Sequence, residues 1–224
     1  MKARPRRGLG LALVVLLSGV SPSWGLQSDE PPPAHDHSAH HGNTAAAGDE
    51  HAAHRAALEK PRYSVTEDRY TVPDVELLDE SGAPVALRTL LESDRPVALN
   101  FTFTTCTTIC PVMTATFAQM RRELGDARDG VRFVSISIDP EYDRPAVLKE
   151  YAERFGAGAG WTFLTGDGPE IARVLQSFKA YAGSKMNHRP LTLLKSPRDP
   201  SWIRIDGLAS GADLAHEVQS RLLD

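Results

Sequence analysis

The stretch Phe101–Met113, FTFTTCTTICPVM, holds both cysteines of the 224-residue chain, Cys106 and Cys110. Its left half belongs to Val97–Phe103 (VALNFTF). That run is rich in β-branched and aromatic residues and flanked by polar ones, so it reads as a buried strand. Its right half reads as the start of a helix. Pro111 fits the first helical turn, where its missing N–H is not needed. Met113, Phe117, Met120 and Leu124 then recur at a spacing of three to four, which is helical, and Gly125 closes the element. The cysteines therefore sit in a strand–loop–helix unit, at the carboxyl end of a sheet, where α/β folds bind ligands. If the Cys110 region is already helical, positions i and i+4 share a face and bring the two sulfurs together. A helix N-terminus favours the thiolate, which attacks disulfides and binds soft metals. A structural disulfide, a redox switch and a soft-metal site are all open at this point. A structural bridge is the poorest of the three, because closing so short a loop removes little chain entropy.

Working outward, Tyr70–Leu78 reads as a strand, Glu80-Ser81-Gly82 as a turn and Pro84–Arg88 as the returning arm of a hairpin. After the cysteine helix come a strand at Val131–Ile138 and a helix at Arg144–Phe155. A short strand at Trp161–Leu164 and a helix at Pro169–Tyr181 follow. Leu191–Leu194 and Trp202–Ile205 look like two antiparallel strands, and Leu208–Leu222 is a last amphipathic helix. Strands alternating with helices imply right-handed crossovers and a largely parallel centre, which the closing strand pair makes mixed. The order fits an α/β, thioredoxin-like fold with a central mixed sheet and an N-terminal β-hairpin extension.

Residues 1–25 read as a signal peptide: Lys2, Arg4, Arg6 and Arg7 precede an apolar run from Leu9 to Val20, with small residues at Ser23 and Gly25. That run is too short for a spanning helix, which needs about 20 residues. Residues 26–60 form a linker without apolar period, rich in Pro, Ala, Gly and acidic residues. It carries His35, His37, His40, His41, His51 and His54, six of the eight histidines. Such a tract is expected to be disordered. It is either a solvated spacer or a loose collector of Cu(II), Zn(II) or Ni(II), because neutral imidazole is a borderline ligand. Residues 61–224 make one domain. The formal net charge is −4, and four of the basic residues fall in the signal segment. An acidic chain without a basic stripe is a poor nucleic-acid binder. Export would carry the cysteines to a compartment where disulfides persist.

The spacing narrows the chemistry. A thioredoxin-type reductant has C-x-x-C, whereas Cys106 and Cys110 stand as C-x-x-x-C. A peroxiredoxin-type nucleophile follows a Pro by seven residues and a Thr by three. Leu99 and Phe103 hold those positions before Cys106, and Phe103 and Thr107 before Cys110.

NFTFTTCTTICPVM, VSISIDPEYDRPAVLKEYAERFG, WTFLTGD and the later lone His188 fall in order over residues 70–206. With these motifs the chain resembles the Sco family (also called SenC/PrrC), thioredoxin-like copper-binding proteins of cytochrome c oxidase assembly. The resemblance implies a copper site in which Cys106, Cys110 and His188 are the ligands. Two thiolates and an imidazole suit three-coordinate Cu(I), and Cu(II) with an added weak ligand. It implies a metallochaperone rather than an enzyme, exported to the periplasm, delivering copper to a copper-accepting subunit of a respiratory oxidase at its CuA centre. Other periplasmic copper chaperones and thiol–disulfide reductants are implied as further partners, and no nucleic acid. The alternative is a thiol–disulfide reductase acting on the recipient's cysteines, with Cys106 and Cys110 as the redox pair and no need of His188. The chain departs from the family in two places. Thr107-Thr108-Ile109 fills a gap that usually carries Pro and an acidic residue, and Asn187 stands where Asp commonly precedes the histidine. Losing that carboxylate removes an orienting neighbour. Asp139 is expected near the site, Met113 and Met186 are read as packing, and His216 as a surface residue. Pro190 is read either as a cis-proline opposite the cysteines, favouring thiol exchange, or as a trans-proline that starts a strand.

Overall fold

The computed structural model describes residues 62–223; the expected signal segment and histidine-rich linker lie outside them. The strands are β1 (Tyr63–Asp68), β2 (Glu76–Asp79), β3 (Pro84–Ala86), β4 (Val97–Thr102), β5 (Arg132–Ser137), β6 (Trp161–Thr165), β7 (Leu191–Lys195) and β8 (Trp202–Gly207). The helices are α1 (Leu87–Leu91), α2 (Ile109–Glu123), α3 (Pro145–Arg154), α4 (Gly168–Ser177) and α5 (Gly211–Val218). All eight strands join one sheet in the order β1-β8-β7-β4-β5-β6-β2-β3. β4, β5 and β6 run parallel, and the flanking pairs are antiparallel. The mixed α/β sheet expected from the element order is therefore present.

β4 is the axis of the domain. All six of its residues are buried, because helices cover both faces of the sheet and leave no solvent side to alternate towards. Period-two geometry sends successive side chains to opposite layers. Ala98 joins Phe117 and Met120 of α2, Tyr151 of α3 and Leu214 of α5 on one face. Val97, Leu99 and Phe101 join Leu87 and Leu91 of α1 and Ile171 and Val174 of α4 on the other.

Two expectations change at the edges. The strand expected over Tyr70–Leu78 is only Glu76–Asp79. Pro73 has no N–H for a ladder, and Val72 and Val75 are instead buried from a loop. The expected hairpin forms from β2 and β3, and Leu78 and Asp79 pair with Thr165 and Leu164 of β6, so it extends the sheet. Its returning arm, expected to reach Arg88, stops at Ala86. There the chain turns into α1, which buries Leu87 and Leu91 one turn apart. β1 was not foreseen. It pairs along the whole of β8, from Tyr63 with Gly207 to Asp68 with Trp202.

The last helix, expected over Leu208–Leu222, is Gly211–Val218 followed by a wider π turn at Gln219–Leu223. Its start is fixed by a capping box, in which the Ser210 hydroxyl accepts from the Asp213 amide and the Asp213 carboxylate accepts from Ser210. Gly211 lets this helix close on α2, since an added Cβ would stand 2.5 Å from Gln119 Cβ. Gly211→Ala is expected to destabilise the domain by ~1–3 kcal/mol through overpacking. A thermal melt checks this, and an unchanged midpoint would show that α2 gives way without cost.

Candidate metal and thiol site

The chain leaves β4 at Thr102 and enters α2 at Ile109, so six residues form the cysteine loop. Buried carboxylates shape it. Asp143, fully buried after β5, accepts from the Thr104 amide at 3.0 Å, from the Thr104 hydroxyl and from the Ser137 hydroxyl at 2.6 Å. Asp139 accepts from the Thr105 hydroxyl at 3.2 Å and forms an ion pair with Lys185. The loop backbone folds onto itself where the Cys106 amide donates to the Phe103 carbonyl at 3.3 Å.

Cys106 lies outside the helix and Cys110 inside its first turn, so the two do not share a helical face as the spacing suggests. They meet in another way. The Cys106 sulfur accepts the Cys110 amide at 3.4 Å, serving one of the orphan donors at the start of α2. Pro111 occupies the first turn, as expected. Both thiols are free; Cys106 is partly exposed and Cys110 buried.

Their acidities diverge. Burial pushes the Cys106 thiol up, but the amides of Cys110 and Thr108 and the side chains of the same two residues outweigh it. The net effect brings Cys106 down to about 7. Burial, reinforced by the Cys106 sulfur, pushes Cys110 up to about 12. The backbone of Cys110 is tied down as well. Its carbonyl accepts from the Thr114 hydroxyl at 2.9 Å, which also bonds the Tyr151 hydroxyl at 2.9 Å.

His188 ends a 3₁₀ turn, Lys185–Asn187, which Ser184 caps through the Met186 amide. The imidazole is half-buried, with Nε2 3.3 Å from the Phe101 carbonyl and the ring edge-on to Phe101. Burial lowers its pKa against the opposing pull of that carbonyl, so it is neutral at pH 7 and competent as a ligand. His188 also lines a cleft of about 330 Å³ together with Ile138, Asp139, Ile171, Leu175 and Lys185.

The structure thus brings Cys106 and Cys110 together and leaves His188 on the Phe101 carbonyl. Among the described residues no group of three His, Cys, Asp or Glu converges as a metal site. The donor types suit copper, and the Phe101 contact engages only Nε2 of His188. Asp139 does approach the cysteine loop, as expected. Met113 is buried packing and Met186 is exposed; His216 is exposed on α5. Pro190 is trans, since no cis peptide occurs among the described residues. Standing just before β7, it offers its carbonyl to Gly207 and needs no N–H. Sequence reasoning missed Asp143, Thr104 and Lys185. They are polar residues in loops, and only their three-dimensional partners mark them.

Comparison with known proteins supplies the context for this geometry. A SCO1 protein homolog of Bacillus subtilis is 37% identical over 114 residues, covering 50% of this chain and 58% of the relative. A mitochondrial SCO2 homolog of Bos taurus is 34% identical over 120 residues, covering 50% and 42%. The chain therefore spans only part of the length of these relatives. Among solved structures, BsSco is described as a Sco-family cytochrome c oxidase assembly protein with a disulfide switch. It aligns at 29% identity with a TM-score of 0.58, covering 68% of this chain and 93% of its own. Bradyrhizobium japonicum ScoI, solved with copper bound, aligns at 25% identity with a TM-score of 0.53, covering 69% and 98%. Since residues 64–221 match the SCO1/SenC family model across nearly all of the described domain, the chain belongs to the SCO1/SenC family.

Proposed function

We propose that the chain is an exported, periplasmic copper chaperone that binds copper through Cys106, Cys110 and His188 and delivers it to a respiratory oxidase at its CuA centre. The observation that carries this reading is the pair of free thiols joined by the Cys110 amide at the mouth of β4 and α2, in a family with a copper-bound member. In this reading copper is cargo. Cys106, already half thiolate near pH 7, engages first. Cys110 releases its proton to solvent only as its sulfur bonds the metal, because burial holds that proton tightly. His188, neutral at pH 7, adds a borderline nitrogen. Release follows by ligand exchange, a recipient thiolate replacing each sulfur in turn.

The divergence of the two thiols supports a second reading, thiol–disulfide exchange on the recipient's cysteines. A low-pKa exposed thiol beside a buried high-pKa one matches an attacking and a resolving sulfur. Copper stoichiometry on the reduced chain separates the two readings, with copper on the tail removed by a competing chelator. The copper reading expects one tightly held copper per chain, lost in Cys106→Ser and Cys110→Ser and weakened in His188→Ala. No retained copper with both thiols free sinks it. Disulfide exchange that survives His188→Ala supports the second.

A further inference from the structure

Lys185 joins three parts of the site. Its ammonium pairs with the buried Asp139 carboxylate, the acceptor that also holds the Thr105 hydroxyl beside Cys106. It lies over the Phe103 ring, 5.6 Å from the centroid, and the Cys106 amide bonds the Phe103 carbonyl. Its own carbonyl accepts the His188 amide at 3.2 Å. Asp139 is itself fixed, because its carbonyl accepts the Tyr142 and Asp143 amides and its amide donates to the Ser137 hydroxyl. One side chain therefore ties the His188 turn to a rigid carboxylate that already anchors the cysteine loop. In this arrangement His188 rests on Phe101 and the three sulfur and nitrogen donors do not converge.

We propose that Lys185 is a positioning residue: its ion pair with Asp139 latches the Ser184–His188 turn so that His188 stays on the Phe101 carbonyl, and opening the latch frees the imidazole towards the cysteines. The destination of the freed imidazole rests on the copper reading, whereas the latch itself is a property of the metal-free chain. The pair has a buried partner and a half-exposed one, with side-chain exposures of 7% for Asp139 and 39% for Lys185. Solvent therefore screens it in part, and the latch is strong enough to bias the turn without freezing it.

The test uses the full, reduced, metal-free chain. Carbethoxylation of His188 by diethyl pyrocarbonate is followed by peptide-resolved mass spectrometry. Lys185→Met keeps the aliphatic stem and removes the charge, Asp139→Asn removes the acceptor charge, and Lys185→Arg restores a cation. His188 modification is expected to accelerate about fivefold in the first two and to remain near wild type in Lys185→Arg. The tail histidines and His216 are expected to react at unchanged rates, with an unchanged thermal midpoint. A merely structural role would lower the thermal midpoint along with the acceleration at His188. Equal His188 rates in wild type and Lys185→Met would overturn the latch, as would acceleration in Lys185→Arg equal to that in Lys185→Met. Repeating the reaction with Cu(I) keeps the two proposals apart. Loss of copper protection at His188 counts against the copper reading, while acceleration in Lys185→Met without metal still supports the latch.

Discussion

Iodoacetamide at pH 7 is expected to label Cys106 of the reduced chain a few hundred times faster than Cys110. With Cys106 at about 7 and Cys110 at about 12, about half of one thiol and ~10⁻⁵ of the other is thiolate. The more basic thiolate is intrinsically the better nucleophile, and a Brønsted slope of ~0.4–0.5 over that gap returns roughly two orders of magnitude. The remainder is ~10²–10³ in favour of Cys106, and the burial of Cys110 widens it. The rate at Cys106 should rise through a midpoint near 7. Thr108 contributes both an amide and a hydroxyl to that thiolate, so Thr108→Val should move the midpoint upward. The folded-state pKa of Cys106 is lowered, so its contribution to stability is full above the unfolded value and is lost as pH falls towards 7. Cys110 has the opposite sign: its contribution is full below the unfolded value and fades as pH rises towards 12. Peptide mapping of the alkylated chain decides the matter, and comparable labelling of the two cysteines at pH 7 would refute the asymmetry.

Asp143→Ala is expected to produce the largest loss of stability among the substitutions around the site. Its carboxylate is fully buried and takes the Thr104 amide, the Thr104 hydroxyl and the Ser137 hydroxyl. Removing it strands a backbone donor that cannot turn elsewhere, while the hydroxyls lose a charged acceptor. The cost is about 2–3 kcal/mol, or ~5–10 °C in Tm for a domain of this size. The loop would loosen with it, so the labelling preference for Cys106 should shrink as well. Asp143→Asn is expected to recover part of the loss, because its one oxygen can keep Thr104 while its nitrogen donates to the Ser137 hydroxyl. A Tm within about 2 °C of wild type would show that water replaces the carboxylate.

The sequence announced those features of the fold that rest on period and punctuation. VALNFTF, VRFVSISI and the spacing of Met113, Phe117 and Met120 carry their geometry in the local pattern, and β4, β5 and α2 lie where it places them. β1 was illegible because its sequence, YSVTED, is mostly polar, and its partner β8 lies far along the chain. α1 was illegible because Leu87 and Leu91 sit just past a strand signal, and burial rather than propensity turns the chain there. At the site, the nearness of the cysteines was foreseen for the wrong geometric reason. No four-residue spacing discloses that the first sulfur accepts the second residue's amide. The ligand role proposed for His188 leaned on family resemblance, and its place on Phe101 depends on a contact across 87 residues.

That last separation bears on how the chain comes to be folded. β4 lies between β5, its parallel neighbour, and β7, which joins it from the far end of the sequence. Closing the β4–β7 ladder spans a long loop and so belongs to the slow, non-local part of folding. The cysteine loop is synthesised before β7, so the ladder that brings His188 to Phe101 must wait for the rest of the domain. In the periplasmic location proposed above, both sulfurs would be open to oxidants during that interval, and Cys110 would lack the burial that later protects it. Maturation in that compartment would be a race between strand pairing and thiol oxidation, and a reductant present during folding would set how many chains finish with two free thiols.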